Sequence, residues 1–178
     1  MHQAPDIKWS ASLASDAQKW ADYLAANNQF KHDPNLQGQG ENLYGSSGDS
    51  QQSCRYATTA FYNEVKDYDF DNPGFTKGTG HFTQVVWVKS TEFGVAKAEK
   101  NSGGTILVFR YSPPGNYLGQ FPENVKPKVS GVSTIPPNVS TIHPDNSTTP
   151  TGSAVCHGTS IIHILTIGIL SLLLQALA

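Results

Sequence analysis

This chain has little cysteine and little positive charge, and each shortage excludes something. Cys54 and Cys156 are its two cysteines, and they fall in different parts of the 178 residues. They leave no internal disulfide framework for a globular region, so stability has to come from a packed core, and Cys54 is expected to be a lone, small, buried thiol. Twelve Lys and Arg against fourteen Asp and Glu give a formal net charge of -2. That balance supplies no basic stripe, and nucleic acid is excluded as a partner on composition. Glycine-rich dinucleotide and phosphate loops are missing as well. The opening MHQAPDIKW lacks the charged and then apolar pattern of a secretory signal.

Charge runs out altogether towards the other end: after Lys128 the only Asp, Glu, Lys or Arg is Asp145. Residues 122–150 turn to Pro, Ser, Thr, Val and Asn without periodicity, a composition that cannot bury enough apolar area to fold. The chain is therefore expected to divide into a globular domain over 1–126, a Pro/Ser/Thr-rich stalk or linker over 127–160 and a hydrophobic tail over 161–178. Two glycosylation sequons, at Asn138 and Asn146, lie in the stalk. The tail, IIHILTIGILSLLLQALA, has no formal charge and is near the lower limit for spanning a bilayer. Three readings stay open for it: a removable lipid-anchor (GPI) signal preceded by the small residues Gly152, Ser153 and Ala154, a spanning helix, or a tail anchor. The first two place the domain outside the cell or at its surface. With no signal visible, they also imply a natural product that is longer at its N-terminus.

Within the globular part, Leu13, Ala17, Trp20, Ala21, Leu24 and Ala25 recur at helical spacing, predicting a helix from Ala11 to Asn28 with Ser10 as its cap. A loop follows from Phe30, leading to a short strand near Asn42–Tyr44. A second helix is expected from about Gln51 to Tyr68, capped by Asp49 or Ser50, with Cys54, Ala57, Phe61, Val65 and Tyr68 on one stripe. Glu64 emerges beside that stripe, where a lone carboxylate would be costly and imidazoles are suitable partners. DNPGF breaks the helix, HFTQVVW reads as a turn, and FGVAKAEK and TILVFRY read as a hairpin closed by NSGG, with Gly103 and Gly104 at positive φ. Helices with a small antiparallel sheet make an α/β layered domain.

His81 stands between a glycine pair and the apolar residues Phe82, Val85, Val86 and Trp87. A histidine at a core rim either satisfies one backbone partner or lines a cleft. The surrounding motifs bear on the choice. GENL at 40–43, FYNEVKDY at 61–68, GHFTQVVW at 80–87 and FRYSPPGNY at 109–117, together with HQAPDIKWS and NPGFTKGTG, resemble the CAP superfamily of cysteine-rich secretory, antigen 5 and pathogenesis-related proteins. The Golgi-associated plant pathogenesis-related type is the nearest pattern, and the likeness covers residues 2–126. It implies an α-β-α sandwich with a helix ahead of HQAP that this chain lacks, and a cleft formed by His32, Glu41, Glu64 and His81. It also implies that a divalent ion such as Zn²⁺ can bind at His32 and His81. Phe109 stands where secreted members commonly carry a cysteine.

Two functional classes follow. The first is a binding protein, extracellular or membrane-associated, taking a lipid or sterol, a membrane surface or a partner protein at the His/Glu cleft. The resemblance associates Tyr68, Phe70, Pro73 and Phe75 with lipid, and the competing reading is that these aromatics pack their loop onto the core. The second is a hydrolase, either metal-assisted through Glu41 or Glu64, or serine-type through Ser46, Ser47 or Ser50. No nucleophile motif supports the serine route.

Overall fold

The computed structural model describes residues 2–47 and 53–129. The sequons at Asn138 and Asn146, the tail, Cys156, Ser50 and both candidate caps of the second helix lie outside the described residues, as does the stalk from residue 130 onward. Among the described residues no helix is long and apolar enough to cross a membrane.

The elements run β1 (Lys8–Trp9), α1 (Ala11–Ala26), β2 (Gly40–Ser46), α2 (Ser53–Asn63), a 3-10 turn (Glu64–Asp67), α3 (Gly80–Val85), β3 (Glu92–Glu99), β4 (Thr105–Ser112) and α4 (Phe121–Asn124). The strands form one sheet in the order β1-β3-β4-β2. β3, β4 and β2 are antiparallel neighbours, and β1 adds two residues in parallel to β3. A two-residue strand has no period to read, so nothing in the sequence announced it. The hairpin falls where expected, with Gly103 and Gly104 at φ +88° and +90°.

Side-chain alternation sorts the core into two faces. Leu43, Ala96, Ile106 and Val108 point to one face and pack against Ala17, Ala21 and Leu24 of α1. Val95, Leu107, Phe109 and Tyr111 point to the other, against Ala57 and Phe61 of α2. A third cluster joins Phe82 and Val86 to Trp87, Tyr68, Phe121 and Val125. Helix on sheet on helix is the α-β-α sandwich that the resemblance implied. Gly94 lets α1 lie directly on the sheet, since a Cβ there would strike the backbone of Leu13 and Ala14.

Several local expectations are corrected. Ser10 occupies the cap position of α1 without a side-chain cap hydrogen bond; its hydroxyl instead meets Ser12 Oγ at 3.0 Å. The second helix does not continue to Tyr68 but tightens into the 3-10 turn at Glu64, and Asp69 then holds the N–H groups of Asp71 and Asn72 at 2.9 and 3.2 Å, an Asx turn that competes with the helix. HFTQVVW is a helix at its start rather than a turn; Phe82 and Val86, four residues apart and both buried, give it one apolar side. Cys54 is disulfide-bonded and only half-buried, not the lone buried thiol expected.

Candidate functional site

Each of the two histidines expected in the cleft sits on one of the two glutamates. His32 Nδ1 is 2.6 Å from Glu41 Oε1 and His81 Nδ1 is 2.6 Å from Glu64 Oε1. A carboxylate only accepts, so both Nδ1 atoms carry the proton and, in the neutral rings, both Nε2 atoms are left as the basic nitrogen. This is the arrangement in which a carboxylate behind an imidazole fixes its tautomer and ring plane.

The two pairs are built differently. Glu41 is the second residue of β2, directly opposite Arg110 of β4. Its side chain is 1% exposed, whereas His32 is 63% exposed. Glu41 Oε1 also accepts the Asp33 N–H at 3.1 Å. Arg110, 2% exposed, donates to Asp33 Oδ2 at 2.8 Å and lies 3.3 Å from Glu41 Oε2. That second approach is an ion pair without hydrogen-bond alignment: Glu41 Oε2 and Arg110 Nε are both buried with no hydrogen-bond partner. The hydrogen bond it donates to Glu41, more than the opposing cost of burial, holds the His32 imidazole above its ordinary pKa.

Glu64, at the start of the 3-10 turn, reaches across to the first turn of α3. Its Oε2 accepts the backbone N–H groups of His81 and Phe82 at 2.9 and 3.0 Å. A carboxylate there satisfies two of the donors that open every helix. The His81 ring is stacked on Phe61, centroids 4.8 Å apart. Asn116, at φ +61°, steadies the same turn by donating to Gly80 O at 2.9 Å and accepting from Thr83 Oγ1 at 2.6 Å.

Glu41 and Asn42 are consecutive in β2 and so leave it on opposite sides. Asn42 donates to His81 O at 3.1 Å, which puts the two pairs at the same end of this edge strand, one on each side of it. No hydrogen bond or ion pair among the described residues joins one pair to the other. Nor, among the described residues, do three or more His, Cys, Asp or Glu side chains form a metal-holding group; two imidazole Nε2 atoms would leave the remaining positions to water or ligand.

A profile of the cysteine-rich secretory protein family, CAP, matches residues 1–111. The chain belongs to the CAP family. It is 42% identical over 130 residues to human Golgi-associated plant pathogenesis-related protein 1, covering 71% of this chain and 83% of that one. Pathogenesis-related protein 1 of Arabidopsis thaliana is 37% identical over 116 residues, 65% of this CAP chain and 70% of the relative. Among solved structures, the crystal structure of NaASP2 with Zn²⁺ superposes with a TM-score of 0.59 at 25% identity, covering 71% of this chain and 70% of the other. BmVAL-1 gives 0.50 at 29% identity, covering 63% and 61%.

The aromatic residues expected to face lipid divide in this CAP domain. Tyr68 is buried, Phe70 is half-buried and Phe75 is half-exposed with its ring edge over Gly80. Tyr68 and Phe70 pack on each other and on Phe82. Sequence reasoning did not single out Arg110 and Asp33, which shape the site, or His2, which is buried against Phe82. Arg110 interrupts the apolar run TILVFRY, and a charge in such a run is the signal that could have found it, since arginine is seldom fully buried unpaired. Asp33 adjoins His32. His2 is buried and held by Lys126 O at 2.7 Å and Tyr62 Oη at 3.1 Å; burial pushes its pKa down.

Proposed function

We propose that this CAP-domain chain is a binding protein of the extracellular or membrane-associated kind, taking a lipid, a sterol or a partner protein at a cleft between the His32–Glu41 and His81–Glu64 pairs. The observation that carries the reading is the pair of imidazoles tied back through Nδ1 to a glutamate, which leaves Nε2 in each unengaged by that glutamate. Such a donor set suits Zn²⁺ or a similar ion, which His32 and His81 would hold through Nε2 while Glu41 and Glu64 fix their rings from behind. A bound ion would supply a positive, Lewis-acidic centre for a ligand's oxygen. Of the three aromatics, Phe75 is the one available to an apolar ligand.

For Ser46 acting with His32, the serine route to hydrolysis is disfavoured by distance. Ser46 lies five residues along β2 from Glu41, roughly 17 Å at strand rise, out of reach of His32. The hydrogen bonds seen at both imidazoles go to carboxylates rather than to a hydroxyl. The uncharged run over 161–178 and the two sequons favour a domain held at the cell surface.

Flotation of the full chain with phosphatidylcholine vesicles, with and without sterol, tests the ligand class. Co-flotation that Phe75→Ser weakens at least several-fold supports lipid at the cleft. Equal flotation of the two proteins would move the reading to a protein partner. Release of the domain from expressing cells by phospholipase distinguishes a glycolipid anchor from a spanning helix, and a cytosolic, unglycosylated product would defeat the surface assignment.

A further inference from the structure

The two carboxylates of the site are secured by different means, and one of those means is a buried cation. Arg110 sits in β4 with 2% of its side chain exposed, and its register partner in β2 is Glu41. Its Nη2 donates to Asp33 Oδ2 at 2.8 Å and lies 3.3 Å from Glu41 Oε2. The Asp33 N–H, in turn, donates to Glu41 Oε1 at 3.1 Å, the oxygen that takes the His32 proton at 2.6 Å. The contacts close a ring: guanidinium, Asp33 carboxylate, Asp33 amide, Glu41 carboxylate, guanidinium. His32 hangs from one corner of it, 63% exposed.

Core packing does not account for a guanidinium here. Buried ion pairs replaced by apolar residues of similar volume often leave a protein as stable or more so. Both contacts come from one nitrogen, Nη2, so what arginine supplies over lysine here is a charge that burial does not remove. His81 needs no such cation, since Glu64 is seated by the His81 and Phe82 amides.

We propose that Arg110 is the positioning residue of the His32 half of the site. By neutralising and locating Glu41 and Asp33 together, it fixes His32 as the Nδ1–H tautomer and leaves Nε2 as the basic nitrogen. The His81 half is set independently by α3. The claim rests on the reading above only in treating Nε2 as a cation ligand; the positioning itself rests on the contacts.

The test is imidazole ¹⁵N NMR on the full chain, metal-free, at a pH where the rings are neutral, for wild type, Arg110→Lys and Arg110→Gln. In wild type, His32 and His81 both show a protonated Nδ1. Arg110→Gln is expected to shift His32 towards the Nε2–H tautomer that an unrestrained imidazole favours, with His81 unmoved, and Arg110→Lys to lie between. An unchanged His32 tautomer in Arg110→Gln, with native His81 signals, overturns the proposal. Should Arg110→Gln fail to fold, as loss of the His81 signals would reveal, Arg110→Lys and Asp33→Asn decide it: partial loss of the tautomer at His32 alone supports the role, and no change in either variant ends it. Calorimetry with Zn²⁺ separates this claim from the one it builds on. Arg110→Lys should weaken Zn²⁺ binding about tenfold to a hundredfold. A wild-type chain that binds no Zn²⁺ would sink the cation reading, while the tautomer result still decides the role of Arg110.

Discussion

The His32 and His81 pairs share one bond, a 2.6 Å contact from Nδ1 to a glutamate, and reach it from opposite materials. At His32 the glutamate is deep, the histidine is out in water and the counter-charge is a side chain fixed by strand register. At His81 the glutamate is shallower, 20% exposed against 1% for Glu41, and what seats it is backbone at the start of a helix. The difference teaches that a short-range motif can depend on distant structure in two ways. The first pair depends on β2 and β4 being in register, and the second on the 3-10 turn meeting α3.

The comparison can be broken most forcefully at the buried cation. Arg110→Ala leaves Glu41 without a counter-charge in the interior, and denaturant unfolding should show a loss of about 3–5 kcal/mol. A loss below about 1 kcal/mol would mean that water reaches Glu41 and that the two pairs are not so different. Next comes Glu64→Ala, which removes the acceptor for two opening amides of α3; a cap of this kind is worth about 1 kcal/mol. That loss should leave the His32 signals unmoved, and a matching perturbation at His32 would show the halves to be coupled.

The smallest effects are in pH dependence, and they have opposite signs in two histidines. His32 has its pKa raised by Glu41, so its contribution to stability is full below the unfolded value of about 6.5 and is lost as pH rises through the folded value. Because the ring is largely exposed, that contribution should be no more than a few tenths of a kcal/mol, about what exposed pairs give. His2 has its pKa lowered by burial; its contribution is full above about 6.5 and is lost as pH falls through the folded value. Unfolding measured from pH 8 to pH 5 should therefore lose some of its acid sensitivity in His2→Gln and some of its alkaline sensitivity in His32→Ala. The same slope in both variants and wild type would contradict both assignments.

Much of this was legible in the sequence, for identifiable reasons. α1 is long enough for its period to show, NSGG places two glycines where positive φ is needed, and four motifs in order name the residues that pair. What the sequence hid depends on contacts far apart along the chain. α3 is six residues long, too short to declare a period, and Glu64, which accepts the His81 and Phe82 amides, lies 17 and 18 residues upstream of them. The role of Arg110 needs the β2–β4 register, and the residues that hold His2 are Tyr62 and Lys126. Cys54 looked solitary because sequence spacing says nothing of which sulfurs meet.

The central claim is that His32 and His81, one on each side of the β2 edge, serve a single site. Calorimetric titration of Zn²⁺ into wild type, His32→Ala, His81→Ala and the double variant at neutral pH tests it most directly. If one ion uses both imidazoles, each single variant weakens binding at least tenfold, and the double variant costs clearly less than the sum of the two losses in free energy. Losses that add to within about 0.5 kcal/mol would show two independent half-sites, and affinity unchanged in the double variant would show that neither histidine is a ligand.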